Sequence, residues 1–360
     1  VKSLAICTIK RVGLAVSLVK PNSILAACDE QQAVFYYIAQ ICPLPWRKHV
    51  FKERFHTMKV IQIVEKKTIL SKSNLPVSDY SVNPYVGCTH GCQYCYASFM
   101  KRFTGHREEW GEFLDVKQWL PLRSPEQYRD KALFIGSVTD PYNPQEAQYQ
   151  RTRALLQELQ GSGAKITIQT KSDLVLRDMD LIQTFPDARV GFSINTLDEQ
   201  FKNDMDKAVS IERRLSAMKQ LYDAGIRTTC FISPIFPEIT DVPAIIERVK
   251  MQCQLIWLEN LNLRGNYKPV ILNYIQTKYP HLMPLYQQIY LQGDNSYWQQ
   301  LDQQLQQFAQ YIGLDYVVND DSMQRSFDAP PVMVNFFYHE KIKKSAQKAS
   351  EEFEVNLRLF

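Results

Sequence analysis

The chain has no apolar run approaching the eighteen or so residues that a membrane-spanning helix needs, so no transmembrane helix is expected. Cysteine is sparse, with eight in 360 residues. That density excludes a disulfide scaffold, which is built from many cysteines in a short secreted chain. Charge of either sign is not in excess: 42 Lys and Arg against 38 Asp and Glu give a net +4. A balance this mild permits contact with a polyanion but does not argue for one. No convincing export signal opens the chain. The apolar stretch Gly13–Val19 is short and is interrupted by Lys20-Pro21, so the expected location is the cytoplasm. What remains is an ordinary globular composition, 45% apolar and 22% charged, with 19 Tyr and 18 Phe to fill a large core or line a pocket.

The few cysteines are unevenly placed. Cys88, Cys92 and Cys95 fall within Gly87-Cys88-Thr89-His90-Gly91-Cys92-Gln93-Tyr94-Cys95-Tyr96, a C-x3-C-x2-C spacing. Three thiolates on one short loop can converge on a metal centre, and sulfur donors suit zinc or iron–sulfur clusters. A structural zinc site wants four ligands, commonly as two pairs. Here His90 lies between two of the cysteines and is poorly placed as a fourth ligand, while Cys230 and Cys253 sit in or near apolar strands and read as core thiols. The pattern therefore favours a four-iron cluster with one iron left open for a reactant. Gly87 and Gly91 allow unusual backbone angles that bring N–H groups near sulfur.

Residues 1–57 hold Cys7, Cys28 and Cys42 and show no sustained period, and Met58 reads like a fresh start. They are expected to be an extension that is dispensable or not native, with a small helical cap as the alternative. Residues 58–76 form a lead-in. From residue 77 to about 270, short β-branched runs alternate with helical stretches. Strands are expected at Leu133–Val138, Lys165–Lys171, Arg189–Asn195, Arg227–Pro234 and Leu255–Leu261, with an earlier one leading into Cys88. Helices are expected after Pro144, over Leu174–Phe185, from Ser210 to Gly225, and over Val242–Met251 behind Asp241 as N-cap. Alternation of this kind implies a parallel sheet with right-handed crossovers. Polar residues recur at the strand ends: Ser137, Thr139 and Asp140; Thr170, Lys171 and Ser172; Ser193 and Asn195; Ser233; Glu259, Asn262 and Arg264. That recurrence favours a barrel-type rim over a doubly wound sheet. Residues 271–360 read as a mainly helical segment, with helices over Leu285–Leu291 and Ser296–Ile312 and a lysine-rich end at Lys341, Lys343, Lys344 and Lys348.

The cysteine spacing, with an aromatic before its last member, resembles the motif of radical S-adenosylmethionine (SAM) enzymes. Asn83-Pro84-Tyr85, Cys95-Tyr96-Ala97, Thr139-Asp140, Thr170-Lys171, Phe192-Ser193-Ile194-Asn195, Arg214-Leu215 and Pro234-Ile235 are similar to the spore photoproduct lyase branch. Phe103-Thr104-Gly105-His106, Trp110-Gly111 and Asn335-Phe336-Phe337-Tyr338-His339 most resemble the radical SAM mobile pair protein B group. The resemblance implies an α/β fold, a partial (β/α)6 barrel, and a [4Fe-4S] cluster on Cys88, Cys92 and Cys95 whose open iron binds SAM. It implies SAM contacts from Thr139, Asp140, Lys171, Ser193, Asn195 and Arg214, and hydrogen-transfer roles for Tyr94 and Tyr96. It further implies reductive cleavage of SAM to a 5′-deoxyadenosyl radical, an electron donor such as flavodoxin or ferredoxin, and a paired radical SAM protein as a candidate partner. The substrate stays open, with nucleic acid or a DNA lesion one class among several. One departure is Ser137, at the position where spore photoproduct lyase carries its cysteine hydrogen donor. The rival reading from another class is a non-catalytic iron–sulfur redox sensor or scaffold.

Overall fold

A computed structural model describes residues 60–75, 77–318 and 333–337. The proposed extension at 1–57, Tyr338-His339 and the C-terminal lysines lie outside the described residues. In chain order the strands are β1 (Val60–Lys66), β2 (Leu70–Lys72), β3 (Tyr80–Val82), β4 (Tyr85–Val86), β5 (Phe113–Trp119), β6 (Ala132–Ile135), β7 (Lys165–Thr170), β8 (Asp187–Ser193), β9 (Arg227–Ile235), β10 (Leu255–Asn260), β11 (Asp315–Val318) and β12 (Met333–Phe337). The helices are α1 (Glu146–Tyr149), α2 (Arg151–Leu159), α3 (Met179–Ile182), α4 (Glu199–Met205), α5 (Ile211–Asp223), α6 (Val242–Val249), α7 (Tyr267–Lys278), α8 (Met283–Tyr290) and α9 (Ser296–Tyr311). Among the described residues no helix is long and apolar enough to cross a membrane.

The main sheet has the order β11-β12-β10-β9-β8-β7-β6-β3-β2. Every pairing in it is parallel except β2 with β3. The run β3-β6-β7-β8-β9-β10 supplies the six strands of a partial barrel, and the sheet stays open. Its two faces follow from the period-two alternation of strands. Ile166 and Ile168 of β7, Val190 and Phe192 of β8, Cys230 and Ile232 of β9, and Ile256 and Leu258 of β10 are buried in one apolar cluster, shared with residues of α2, α5 and α6. The alternate residues form the opposite face and are largely polar: Thr167 and Gln169, Gly191 and Ser193, Thr229 and Ser233, Trp257 and Glu259. That polar inner face is the lumen.

The helices carry matching patterns. In α5, Ile211, Leu215, Met218 and Leu221 are buried at the spacing of one helix face. In α6 the buried set is Val242, Ile245, Ile246 and Val249, and Asp241 accepts the Ala244 N–H at 3.0 Å as the expected N-cap. Sequence patterning did not show several elements. A small sheet, β1-β5-β4, stands apart from the main one. Short α4 and the whole of α7 were not legible either. Past residue 270 the three helices are followed by two more strands, β11 and β12, and β12 pairs with β10. The sheet therefore extends beyond the stretch where sequence alternation ends, because these strands are specified by partners far away along the chain.

Candidate metal and cofactor site

The cysteine loop hangs between the two sheets. β4 pairs antiparallel with β5 and delivers the chain to Gly87. Gly87 has φ +88, and a Cβ there would overlap the Phe113 carbonyl. A left-handed backbone beside a fixed carbonyl admits only glycine. Gly111, at φ +99, lies so close that an added Cβ would stand 3.0 Å from the Gly91 Cα. The segment before β5 thus wraps the loop from one side. On another, Gln93 donates its N–H to the Met205 carbonyl at 2.9 Å and Lys207 donates to the His90 carbonyl at 2.8 Å. From a third, the Thr139 hydroxyl donates to the Gly87 carbonyl at 2.6 Å.

Cys88, Cys92 and Cys95 are free thiols. Burial pushes all three up, Cys92 to about 12, with Lys171 opposing the rise at Cys92 and Cys95. Protonated thiols in such a place become ligands only when a metal displaces their protons. Among the described residues no three His, Cys, Asp or Glu side chains gather on a point that one ion could occupy. Three soft donors on one pinned loop suit an iron–sulfur group.

The strand ends surround the loop with two buried ionic clusters. The first centres on Asp140. Its Oδ1 accepts the Tyr142 N–H at 2.9 Å and the Thr170 hydroxyl at 2.7 Å; its Oδ2 accepts the Lys171 N–H at 2.7 Å. His90 Nε2 stands 3.1 Å from the same Oδ2. Burial alone would raise this carboxyl, but His90 and the donated bonds override it and hold it at about 2. The second cluster centres on Asp206, 2.8 Å from Arg214 and 3.5 Å from Lys202. Arg214 is 1% exposed and also donates to the Ser193 carbonyl at 3.1 Å and the Val209 carbonyl at 3.0 Å. Burial would raise Asp206, and Arg214, Lys171 and Lys202 together bring it below its usual value.

Asp140 and Arg214, expected at SAM, also tie the β7 and β8 ends to their surroundings through the contacts above, and each keeps hydrogen-bonding sites unfilled by those contacts, since a carboxylate accepts about four bonds and a guanidinium donates five. Thr139 likewise ties the loop. Asn195 is buried and donates to the Pro234 carbonyl at 3.3 Å, joining β8 to β9. Among the described residues the Lys171 ammonium has no hydrogen-bond or salt-bridge partner, and it stands 5.7 Å from the centroid of the Tyr94 ring, a cation–π distance. Burial would lower it, but Cys92 and Asp206 raise it, so it stays charged. The Ser193 hydroxyl accepts from the Gln169 amide at 3.0 Å, and Gly191 leaves the room that amide occupies.

The two tyrosines separate. Tyr94 is built into a second apolar cluster with Phe201, Phe236 and Leu261, its hydroxyl 3.5 Å from Asp206. Tyr96 stands 61% accessible and its hydroxyl donates to the Ser137 carbonyl. Neighbouring protein atoms raise its phenol above the usual value. The Ser137 hydroxyl accepts from the Asn83 amide at 2.9 Å. Sequence reasoning missed His90, Lys202 and Asp206 as parts of the site. Only the Lys202–Asp206 spacing, one helical turn, carried any signal, and such pairs are common on solvated helices.

A family model described as the radical SAM superfamily matches residues 82–248. An uncharacterized protein of Methanocaldococcus jannaschii is 36% identical over 224 residues, which is 62% of this chain and 85% of that protein. An uncharacterized protein of the Acidianus two-tailed virus is 29% identical over 171 residues, 44% of this chain and 56% of that protein. Among solved structures, a spore photoproduct lyase mutant with dinucleoside spore photoproduct shows a TM-score of 0.47 at 16% identity, covering 63% of this chain and 68% of that one. SuiB of Streptococcus suis bound to S-adenosylmethionine shows 0.38 at 13% identity, covering 77% of this chain and 59% of that one.

Proposed function

Because the chain belongs to the radical SAM superfamily, we propose that it is an enzyme holding a [4Fe-4S] cluster on Cys88, Cys92 and Cys95 and binding SAM beside it. Bound together, the two groups supply a 5′-deoxyadenosyl radical that removes a hydrogen atom from a substrate. The observation that carries the reading is the pairing of three free, pinned thiols with the charged ammonium of Lys171 at the mouth of a polar lumen. Lys171 receives the SAM carboxylate, and Asp140 orients Lys171 through its backbone N–H. Ser193 faces the same space, with its hydroxyl proton available to an acceptor while its oxygen is held by Gln169. Arg214, Lys202 and Asp206 tie the β8 end together, while at Cys92 Lys171 and Arg214 favour the thiolate and Asp206 opposes it. Tyr96 keeps its phenolic proton on the Ser137 carbonyl and stays accessible. Ser137 offers a hydroxyl, a far poorer hydrogen-atom donor than a thiol, so repair of a photoproduct by a cysteine route is not part of the proposal.

Residues 77–270 form the SAM-dependent core in this reading. The enzyme works in the cytoplasm with a flavodoxin- or ferredoxin-type electron donor. The test is anaerobic reconstitution, with counts of iron and sulfide, followed by reductant and SAM. About four irons per chain and release of 5′-deoxyadenosine are expected, both lost in Cys92→Ala. A full cluster with no SAM cleavage under any reductant would leave a redox sensor or scaffold. Zinc without iron would remove both cluster readings.

A further inference from the structure

The lumen carries one feature that the cluster and SAM leave unused. Glu259 lies on the inner face of β10, two residues from Trp257 and so on the same side. The Trp257 indole N–H donates to its Oε1 at 3.1 Å, and the Ser233 hydroxyl, on neighbouring β9, donates to its Oε2 at 3.0 Å. A carboxylate has about four acceptor sites, so one remains on each oxygen. No cation pairs with it among the described residues; the site's cations Lys171, Lys202 and Arg214 face Asp206 and the thiols instead. Enclosure raises the Glu259 carboxyl, and the two donors hold it back. Its charge also raises the Tyr96 phenol, after the larger effects of enclosure and Cys95. An enclosed carboxylate without a counter-charge is costly unless something completes it. The β7–β8 side thus carries cations together with the carboxylates Asp140 and Asp206, whereas Glu259 on the β9–β10 side has no cation among the described residues.

We propose that Glu259, with Ser233 and Trp257, is a recognition site for a cationic, N–H-donating group of the substrate, of guanidinium type. It rests on the reading of the lumen as a radical SAM active site. A guanidinium brings the missing charge and two donors in one plane, matching one free acceptor site on each oxygen. The planar cation also suits the Trp257 ring beside it. A neutral N–H edge, such as that of a nucleobase, would leave the charge uncompensated.

The reconstituted holoprotein is titrated with two probes, agmatine and guanosine, by calorimetry. Agmatine is expected to bind the wild type, and Glu259→Gln is expected to weaken it about tenfold or more. Glu259→Asp, which retains the charge, is expected to keep more of that affinity, and this pair of variants guards against a general loss of structure. Agmatine that fails to bind, or binds Glu259→Gln equally, overturns the proposal. So does guanosine binding that depends on Glu259, since that would mean a neutral donor edge. Iron and sulfide counts, SAM affinity and 5′-deoxyadenosine release are followed in the same samples. Their failure in the wild type removes the parent reading, whereas a change in SAM affinity beyond about threefold in Glu259→Gln alone moves Glu259 into the SAM site and overturns only this inference.

Discussion

Substituting Gly87 by Ala separates steric fit from backbone preference at the cysteine loop. Gly87 has φ +88, and the left-handed region costs an L-residue about 1–2 kcal/mol. An added methyl would also overlap the carbonyl of Phe113. That carbonyl cannot swing aside easily, because Phe113 opens β5, which is paired in register with β1 from Val60 to Lys66. Overpacking against fixed neighbours adds about 1–3 kcal/mol. Gly87→Ala should therefore destabilise by about 2–5 kcal/mol in sum. Gly105 is the control. Its φ is +73, but nothing lies within 4 Å of an added Cβ, so Gly105→Ala should lose only the backbone part. Urea unfolding of the two metal-free variants measures the difference, expected at about 1–3 kcal/mol with unchanged slope. Gly87→Ala should also take up less iron on reconstitution, because Cys88 is the next residue and moves with the strain. Equal losses in the two variants, within about 0.5 kcal/mol, would refute the close fit between the loop and β5.

Asp140→Asn should be destabilising with a specific pH signature. The folded pKa of about 2 lies below the unfolded value of about 3.9, so the stabilisation is present above about pH 4 and is lost as pH falls through about 2. The gap between wild type and variant, to which this linkage contributes about 2 kcal/mol, should shrink over that window in acid-unfolding titrations. Arg214→Met removes a cation from a buried pair and should cost about 3–5 kcal/mol in urea unfolding, because Asp206 remains with weaker compensation. Lys171→Met should leave iron loading intact yet weaken SAM about 10- to 100-fold in equilibrium binding, the value of one charge-assisted bond. Unchanged SAM affinity there would remove Lys171 from the cofactor site.

The legible part of the site was its local part. Cys88, Cys92 and Cys95 lie within eight residues, so their spacing is readable without knowing the fold. The helices α5 and α6 were readable for the same reason, since each carries its cap and its apolar face within its own length. Glu259 stood among the strand-end residues, but nothing nearby in sequence marked it as lacking a counter-charge. The partners of Asp140 range from Tyr142, two positions on, to His90, fifty positions back, and the carboxylate's role follows from all of them together. Strands β11 and β12 escaped notice because a short strand is specified mostly by the neighbour it pairs with.

The sequence by itself determined the cysteine loop, the alternation of strands and helices, and the concentration of polar residues at strand ends, because each is written in near neighbours. The tertiary structure decided which of those polar residues are available. Asp140, Asn195 and Arg214 bond to protein groups, Tyr94 packs in an apolar cluster, Tyr96 is accessible, and Glu259 lies on the inner face of β10. Availability is a balance of donors, acceptors and charge in three dimensions, and the residues that strike it are brought together only when the sheet forms.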